Sequence, residues 1–413
     1  MSVAQSVAAT QNLPESGPLS GLRVLELGST VAAPFCGRLL ADFGAEVVKV
    51  EALEGDTVRS MGRHVDGHSL YAASIFRNKR MLALDMNQAA GRDIVLSLAE
   101  KSDVLIENFK PGRMERWGLG YEALSARNQG LVMVRISGYG QTGPYSARPG
   151  YGVTCEAVSG LRELTGDPDR PPSRVAVSLT DEVTAIYAAF GAMMALWQRQ
   201  TTGRGQIVDA ALYESAFSLL EPHVPAYAAL GAIAKRAGSK LPDNAPNNLY
   251  PSSDGGFVHL TAITRTLFGR LATLMGQPAL AEDARFSTPR ARAQNQEELD
   301  GEIAAWSATL PLRELENKLI AAGIPAARIY KLDDIFEDPH FRDRRMLVEL
   351  DDAQLGKVVV PGIVPKLSAH REVLKKTGGR VGADTRAVLR ELLDMDDKAI
   401  AQLVKEKVVV ACD

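Results

Sequence analysis

Apolar residues fall along this chain in two rhythms. Short, nearly continuous apolar runs alternate with stretches in which apolar positions recur three and four apart, which predicts parallel strands joined by helices. Leu22-Arg-Val-Leu-Glu-Leu27 reads as a buried strand, Gly28-Ser-Thr turns it into the helical pattern Ala32 to Phe43, and Ala45-Glu-Val-Val-Lys-Val-Glu51 is the next strand. Joints this short make a right-handed βαβ unit. The rhythm continues through the strand Met81 to Asp85, the helix Ala89 to Ala99, the strand Asp103 to Glu107, a helix near Gly112 to Trp117 and the strand Leu131 to Ile136. In such open sheets ligands bind beyond the carboxyl ends of the strands, so the loops after Leu27, Glu51, Asp85, Glu107 and Ile136 are the places to look.

The stretch from Ser178 to Trp197 breaks the rhythm with one long apolar helix. Thr180 or Asp181 is a good N-cap, and Gln198-Arg-Gln-Thr-Thr-Gly203 supplies a basic last turn and a stop glycine. No charge falls between Glu182 and Arg199, so burial on most sides is expected. The uncharged run is shorter than the ~18 residues that suggest a membrane span. Asp181 stands at the helix mouth, where unpaired N–H groups and the dipole favour an ionised carboxylate. Such a residue is ordinarily a cap; its other reading is a covalent nucleophile.

Gly205 to Leu212 is a strand running into a helix, and Ala234 to Ser253 has the composition of a linker. Beyond it come the strand Gly256 to Leu260, the helix Arg265 to Met275, amphipathic helices in Pro289 to Ala322 and the strand Ala326 to Tyr330. The expected division is a disordered tail at 1–18, a large open parallel α/β domain at 19–225, a linker at 226–255, a smaller α+β domain at 256–345, and a return to the large domain at 346–413.

Composition narrows the chemistry. A net charge of -3 over 413 residues offers no polyanion-binding surface, so nucleic acid is not an expected partner. Cys36, Cys155 and Cys412 form neither a disulfide framework nor a metal cluster, which suits a reducing, cytoplasmic setting; Met1 to Ser16 lacks the features of a signal peptide. His64 and His68 have helical spacing but no H-E-x-x-H glutamate, so no metal is expected. Gly138-Tyr-Gly140-Gln-Thr-Gly143 follows a strand, but Pro144 and Pro149 forbid the helix a dinucleotide needs, leaving a tight-turn loop. Basic and polar groups recur on the predicted rim, among them Arg59, Arg63, Asn108, Lys110, Arg113, Arg116 and Arg148, as a phosphorylated ligand or an ordinary polar rim would have them.

Taken in order, Leu22 to Glu51, Gly55-Asp56 with Arg59, Asn78-Lys-Arg80 with Leu84-Asp85, Glu107 to Gly112, Ser137 to Pro144 and Thr202 to Gln206 resemble the family III CoA-transferases, over roughly Leu19 to Leu393. The resemblance implies a Rossmann-like large domain, an interlocked ring-like dimer, CoA thioesters and free carboxylic acids as substrates, and no separate cofactor. It makes Asp181 the catalytic carboxylate, and it places Val31, Ala32, Arg59, Leu84, Asn87, Asn108, Phe109, Lys110, Arg116, Arg148 and Tyr151 at the CoA site. The chain departs from the pattern at Ala52, where formyl-CoA transferase has a basic residue, and at Gly152, where an acid is common. It also lacks the tetraglycine loop of formyl-CoA transferase in Asn244 to Tyr250, which directs attention to a dicarboxylic donor such as succinyl-CoA. The Gly255-Gly256 loop is a candidate oxyanion donor. Two other readings stay open: a related α-methylacyl-CoA racemase, for which Gly150-Tyr-Gly152 lacks the expected Gly-His-Asp, and a silent CoA-binding subunit beside a homologous chain.

Overall fold

The computed structural model describes residues 17–370 and 374–412; the expected tail lies almost wholly outside them. Contacts divide the chain into two units, one of 17–161, 175–225 and 341–412, the other of 162–174 and 226–340.

The first unit is built on a seven-stranded sheet. Its strands are β1 (Arg23–Glu26), β2 (Glu46–Glu51), β3 (Lys79–Leu84), β4 (Val104–Glu107), β5 (Val132–Ser137) and β6 (Ile207–Ala211). They lie in the order 3-2-1-4-5-6, all parallel, and Val409–Val410 adds an antiparallel edge beside β3. This is the doubly wound arrangement, and its order reverses between β1 and β4. The central strands are buried on both faces, which is why their sequences are apolar without alternation. One face packs on α1 (Ala32–Asp42) and the other on the helices Ala89–Glu100 and Thr385–Leu393.

Three local features differ from the sequence expectations. His64 and His68 belong to a two-stranded hairpin, followed by the short helix α2 (Leu70–Ile75). A further helix, α3 (Gly152–Val158), forms after Pro149. The long helix α4 (Leu179–Thr202) has Ser178 at its N-cap position, without a side-chain capping bond, which places Asp181 third in its first turn. Only one face of α4 is buried, through Thr184, Ala185, Ala188, Ala192 and Ala195, while Ile186, Phe190, Met194 and Trp197 are exposed. The expectation of burial on most sides therefore fails, although by length and composition the helix is apolar enough to cross a membrane.

In the second unit, β7 (Asn247–Pro251), β8 (Phe257–Thr261) and β9 (Ala326–Arg328) form an antiparallel sheet over a core that includes Phe268, Leu299 and Leu315. Part of the expected linker is thus a strand. Its polar Asn248 is tied to Ser239 and to Asp300 across 3.0 Å.

Candidate functional site

At the carboxyl ends of β1 to β4, astride the switch point, lies a cavity of about 360 Å³. Leu84 at the end of β3, Asn87 after it and Phe109 after β4 line it. Trp117 meets Phe109 edge to face at 5.2 Å, and the Arg113 guanidinium lies 4.4 Å over the Trp117 ring. This gives the rim an aromatic wall with a fixed cation.

A buried ionic lattice holds the floor. Lys49, wholly buried, lies 2.8 Å from Asp56 and 3.7 Å from Glu26, and donates to the Gly28 carbonyl. Asp56 accepts from the backbone N–H groups of Thr30 and Val58, each at 3.0 Å, so one carboxylate ties the turn after β1 to the turn after β2. Burial works against the charge on Asp56, yet the Lys49 ammonium holds its carboxyl below the ordinary value. Asn108 clamps the same turn, accepting from Ser29 N–H and donating to Ser29 C=O at 2.8 Å each. Gly28 is required there, because a Cβ would stand 2.7 Å from Asn108 Oδ1. Val31 and Ala32, both buried, then open α1.

The remaining sequence candidates are distributed around this centre. Arg59 closes on Glu51 with two bonds of 2.7 and 2.9 Å and faces a neighbouring cavity of about 380 Å³, not this one. Lys110 and Arg116 are exposed where the chain turns after β4, and Arg148 is exposed with its guanidinium 3.4 Å over Tyr145. Tyr151, exposed, precedes α3, and its backbone N–H donates to the Thr154 hydroxyl at 3.0 Å.

Asp181 shares the same edge of the sheet, since α4 runs into β6, parallel to the rest, and so begins where those strands end. Three segments converge on it. Gly138 and Gly150 meet backbone to backbone, where a Cβ on either would come within 2.7 Å of the other's Cα. Cys155 of α3 donates its thiol to the Gly138 carbonyl at 3.3 Å. The first residue of α3, Gly152, faces the carboxylate directly: a Cβ there would stand 2.1 Å from Asp181 Oδ2. A side-chain-free position thus sets how deeply the carboxylate sits, while the first turn of α4 favours its charge.

Nearby titratable groups respond to one another. Burial, then the charges of Glu182 and Asp181, push the Tyr71 phenol up to about 12. Burial and the Asp181 charge raise the Cys155 thiol to about 11, so at neutral pH it does not compete as a nucleophile. Glu182 is pushed up by burial, with Arg38 opposing. Sequence reasoning missed Tyr71, Arg38, Cys155 and the Lys49–Asp56 pair in these roles; only the departure at Gly152 carried a signal. Among the described residues no group of three or more His, Cys, Asp or Glu side chains is placed to hold a metal ion.

The resulting site combines a cavity at the switch point, walled by Phe109 and Trp117, with a positioned carboxylate on the same sheet edge. Comparison with known proteins agrees with that chemistry. The family described as CoA-transferase family III matches residues 19–385. The succinyl-CoA–D-citramalate CoA-transferase of Chloroflexus aurantiacus is 44% identical over 394 residues, covering 95% of this chain and 98% of that protein. The beta subunit of the succinyl-CoA–L-malate CoA-transferase of the same organism is 38% identical, covering 95% and 98%, and the mouse succinyl-CoA:glutarate CoA-transferase 34%, covering 95% and 90%. Among solved structures, a CaiB/BaiF family protein from Brucella suis superposes with a TM-score of 0.82 at 34% identity, over 91% of this chain and all of that one. The chain belongs to CoA-transferase family III and is a CoA-transferase.

Proposed function

We propose that this enzyme moves CoA from succinyl-CoA to a small carboxylic acid through covalent intermediates on Asp181. The observation that carries the reading is the Asp181 carboxylate seated against Gly152 in the first turn of α4. The succinyl-CoA relatives support the choice of donor. An Asp181 oxygen attacks the thioester carbonyl, the C–S bond breaks, and a mixed anhydride and CoA thiolate form. The thiolate attacks the aspartyl carbonyl and expels succinate, leaving an aspartyl-CoA thioester. The acceptor carboxylate then displaces the thiolate to form a second anhydride. The thiolate attacks the acceptor's carbonyl, releasing the new acyl-CoA and regenerating Asp181. No net proton or electron moves, so the protein's tasks are to orient the partners and to stabilise each oxyanion. CoA would lie in the switch-point cavity against Phe109, Leu84 and Asn87, with its diphosphate toward the basic rim.

The test is to mix the protein with succinyl-CoA, trap with hydroxylamine or borohydride, and map the product by mass spectrometry. Modification of Asp181, and loss of turnover by at least ~10⁴-fold in Asp181→Asn, are expected. An unmodified Asp181 in an active protein refutes the scheme. The exposed stripe of Ile186, Phe190, Met194 and Trp197 on α4 supports a dimer of two copies of this chain. A monomeric mass by light scattering at micromolar concentration would remove that reading, and inactivity of the purified chain would favour a second, homologous subunit, as the alpha and beta subunits of the L-malate enzyme exemplify.

A further inference from the structure

Arg38 is a cation beside Glu182 and Tyr71, the groups next to Asp181, for which the mechanism has no use. It lies on α1, with its side chain only 14% exposed. Its nearest carboxylate is Asp42, but Arg77 already holds Asp42 with two bonds, Nε to Oδ1 at 2.9 Å and Nη2 to Oδ2 at 2.6 Å. Arg38 is left at 3.6 Å from that carboxylate, and its buried Nε has no hydrogen-bond partner among the described residues. Its guanidinium is packed 4.0 Å over the Phe35 ring, which fixes the plane without supplying an acceptor. A guanidinium withdrawn from water normally has its donors matched by a carboxylate, because the desolvation cost is otherwise unrecovered.

The surrounding charges leave room for another anion. Two guanidinium groups share Asp42, and Glu182, the other acid that Arg38 senses, is pushed by burial toward its neutral form. Burial and Arg77 bring Arg38 down to about 10, which keeps it charged at neutral pH. Its position is tied to the reacting centre: Glu182 follows Asp181 in the chain, and the Tyr71 phenol senses Asp181, Glu182 and Arg38 together.

We propose that Arg38 is a specificity residue that binds the distal carboxylate of a dicarboxylic acyl group, such as the succinyl group, while its thioester carbonyl faces Asp181. The assignment rests on the reading of Asp181 as the site of acyl transfer. The acyl chain then lies between two fixed points, the nucleophile and the guanidinium, and a monocarboxylic chain of equal length leaves the guanidinium as unmatched as it is in the free protein. The Tyr71 phenol, whose proton is held by burial and by the nearby acids, is a further donor beside this guanidinium.

The experiment compares succinyl-CoA with butyryl-CoA, which has a methyl group in place of the carboxylate, in wild type, Arg38→Gln and Arg38→Lys, with one common acceptor. The readout is the ratio of kcat/KM for the two donors on the same preparation, so incomplete folding of a variant cancels. We expect Arg38→Gln to lower the succinyl-to-butyryl ratio by ~10²-fold or more and Arg38→Lys to restore part of it, as a point charge recovers only part of a bidentate contact. A ratio within threefold of wild type in Arg38→Gln overturns the assignment, and is the result to expect if a carboxylate from a second copy of the chain covers this guanidinium. A wild type active with other acyl-CoAs but inert to succinyl-CoA instead overturns the donor assignment, and the Arg38 assignment with it. If wild type turns succinyl-CoA over but Asp181 stays unmodified, the nucleophile reading fails and the orientation of the thioester toward Asp181 with it, while an unchanged or lowered donor ratio in Arg38→Gln still reports separately whether Arg38 holds the distal carboxylate.

Discussion

Replacing Gly152 by alanine adds a single carbon where the Asp181 carboxylate already stands. The added Cβ would lie 2.1 Å from Oδ2 and 2.9 Å from Cγ, whereas non-bonded heavy atoms rest at roughly 3.5 Å. Either the carboxylate or the start of α3 must therefore shift by more than about 1 Å. Alanine adopts a helical backbone freely, and in a helix it is favoured over glycine by roughly 0.5–1 kcal/mol, so the exchange carries no propensity penalty. Any loss then comes from the contact with Asp181. A displacement of about 1 Å at a reacting group costs ~10²-fold in rate, or about 2.7 kcal/mol of transition-state stabilisation. We expect Gly152→Ala to lower kcat by about that factor, to slow covalent labelling of Asp181 in parallel, and to leave the donor KM within a few-fold. Thermal unfolding run beside the kinetics reports whether the fold has suffered. A variant within threefold of wild-type kcat would refute the argument, because the clash would then be relieved without cost to the carboxylate and the Gly152 contact would not set its working position.

Two further predictions concern the lattice under the cavity. Lys49→Met strands the buried Asp56 without its ammonium, Glu26 keeping Lys79 at 2.7 Å, and breaking a buried pair in this way costs ~3–5 kcal/mol, so the urea midpoint should fall and the KM for CoA thioesters should rise; an unchanged midpoint would mean that the Lys49–Asp56 pair contributes nothing to stability. Because the folded carboxyl of Asp56 is held below its unfolded value of 3.8, its contribution is complete above that pH and is lost as pH falls through the lower folded value. Unfolding free energy measured between pH 5 and pH 2 should therefore decline below about pH 4, and less steeply in Asp56→Asn; parallel curves would assign the decline to other carboxyls.

The parallel core was legible because strands buried on both faces must be apolar throughout, and β1, β2, β4 and β5 lie within a residue or two of their sequence assignments. β7 was read as linker because Asn247, Asn248 and Pro251 disfavour strands. It forms because alternate residues are buried and Asn248 finds partners that sequence cannot display. The exposed face of α4 has a related cause. An uncharged helix face looks the same in sequence whether it is covered by its own chain or by another, and composition carries no information about which.

The site divides along the same line. Leu84, Asn87 and Phe109, singled out by the family resemblance, line a cavity at the strand ends, in the loops to which the topological rule independently points. Arg59 obeys that rule in position, yet its guanidinium is engaged by Glu51 eight residues earlier, a pairing that depends on how the turn after β2 folds back. Gly152 is the opposite case, informative for what it lacks. In sequence it is a departure from an expected acid with no evident consequence; in the fold, the missing Cβ is the space that the Asp181 carboxylate fills. Arg38 extends the reasoning to a residue whose own chain leaves it incompletely satisfied: a buried guanidinium with an unmatched Nε is an energetic debt to the folded protein unless a ligand completes it. With Asp181 exchanging acyl groups as proposed, the ligand that completes it at no cost to the reaction is the far end of the acyl group itself.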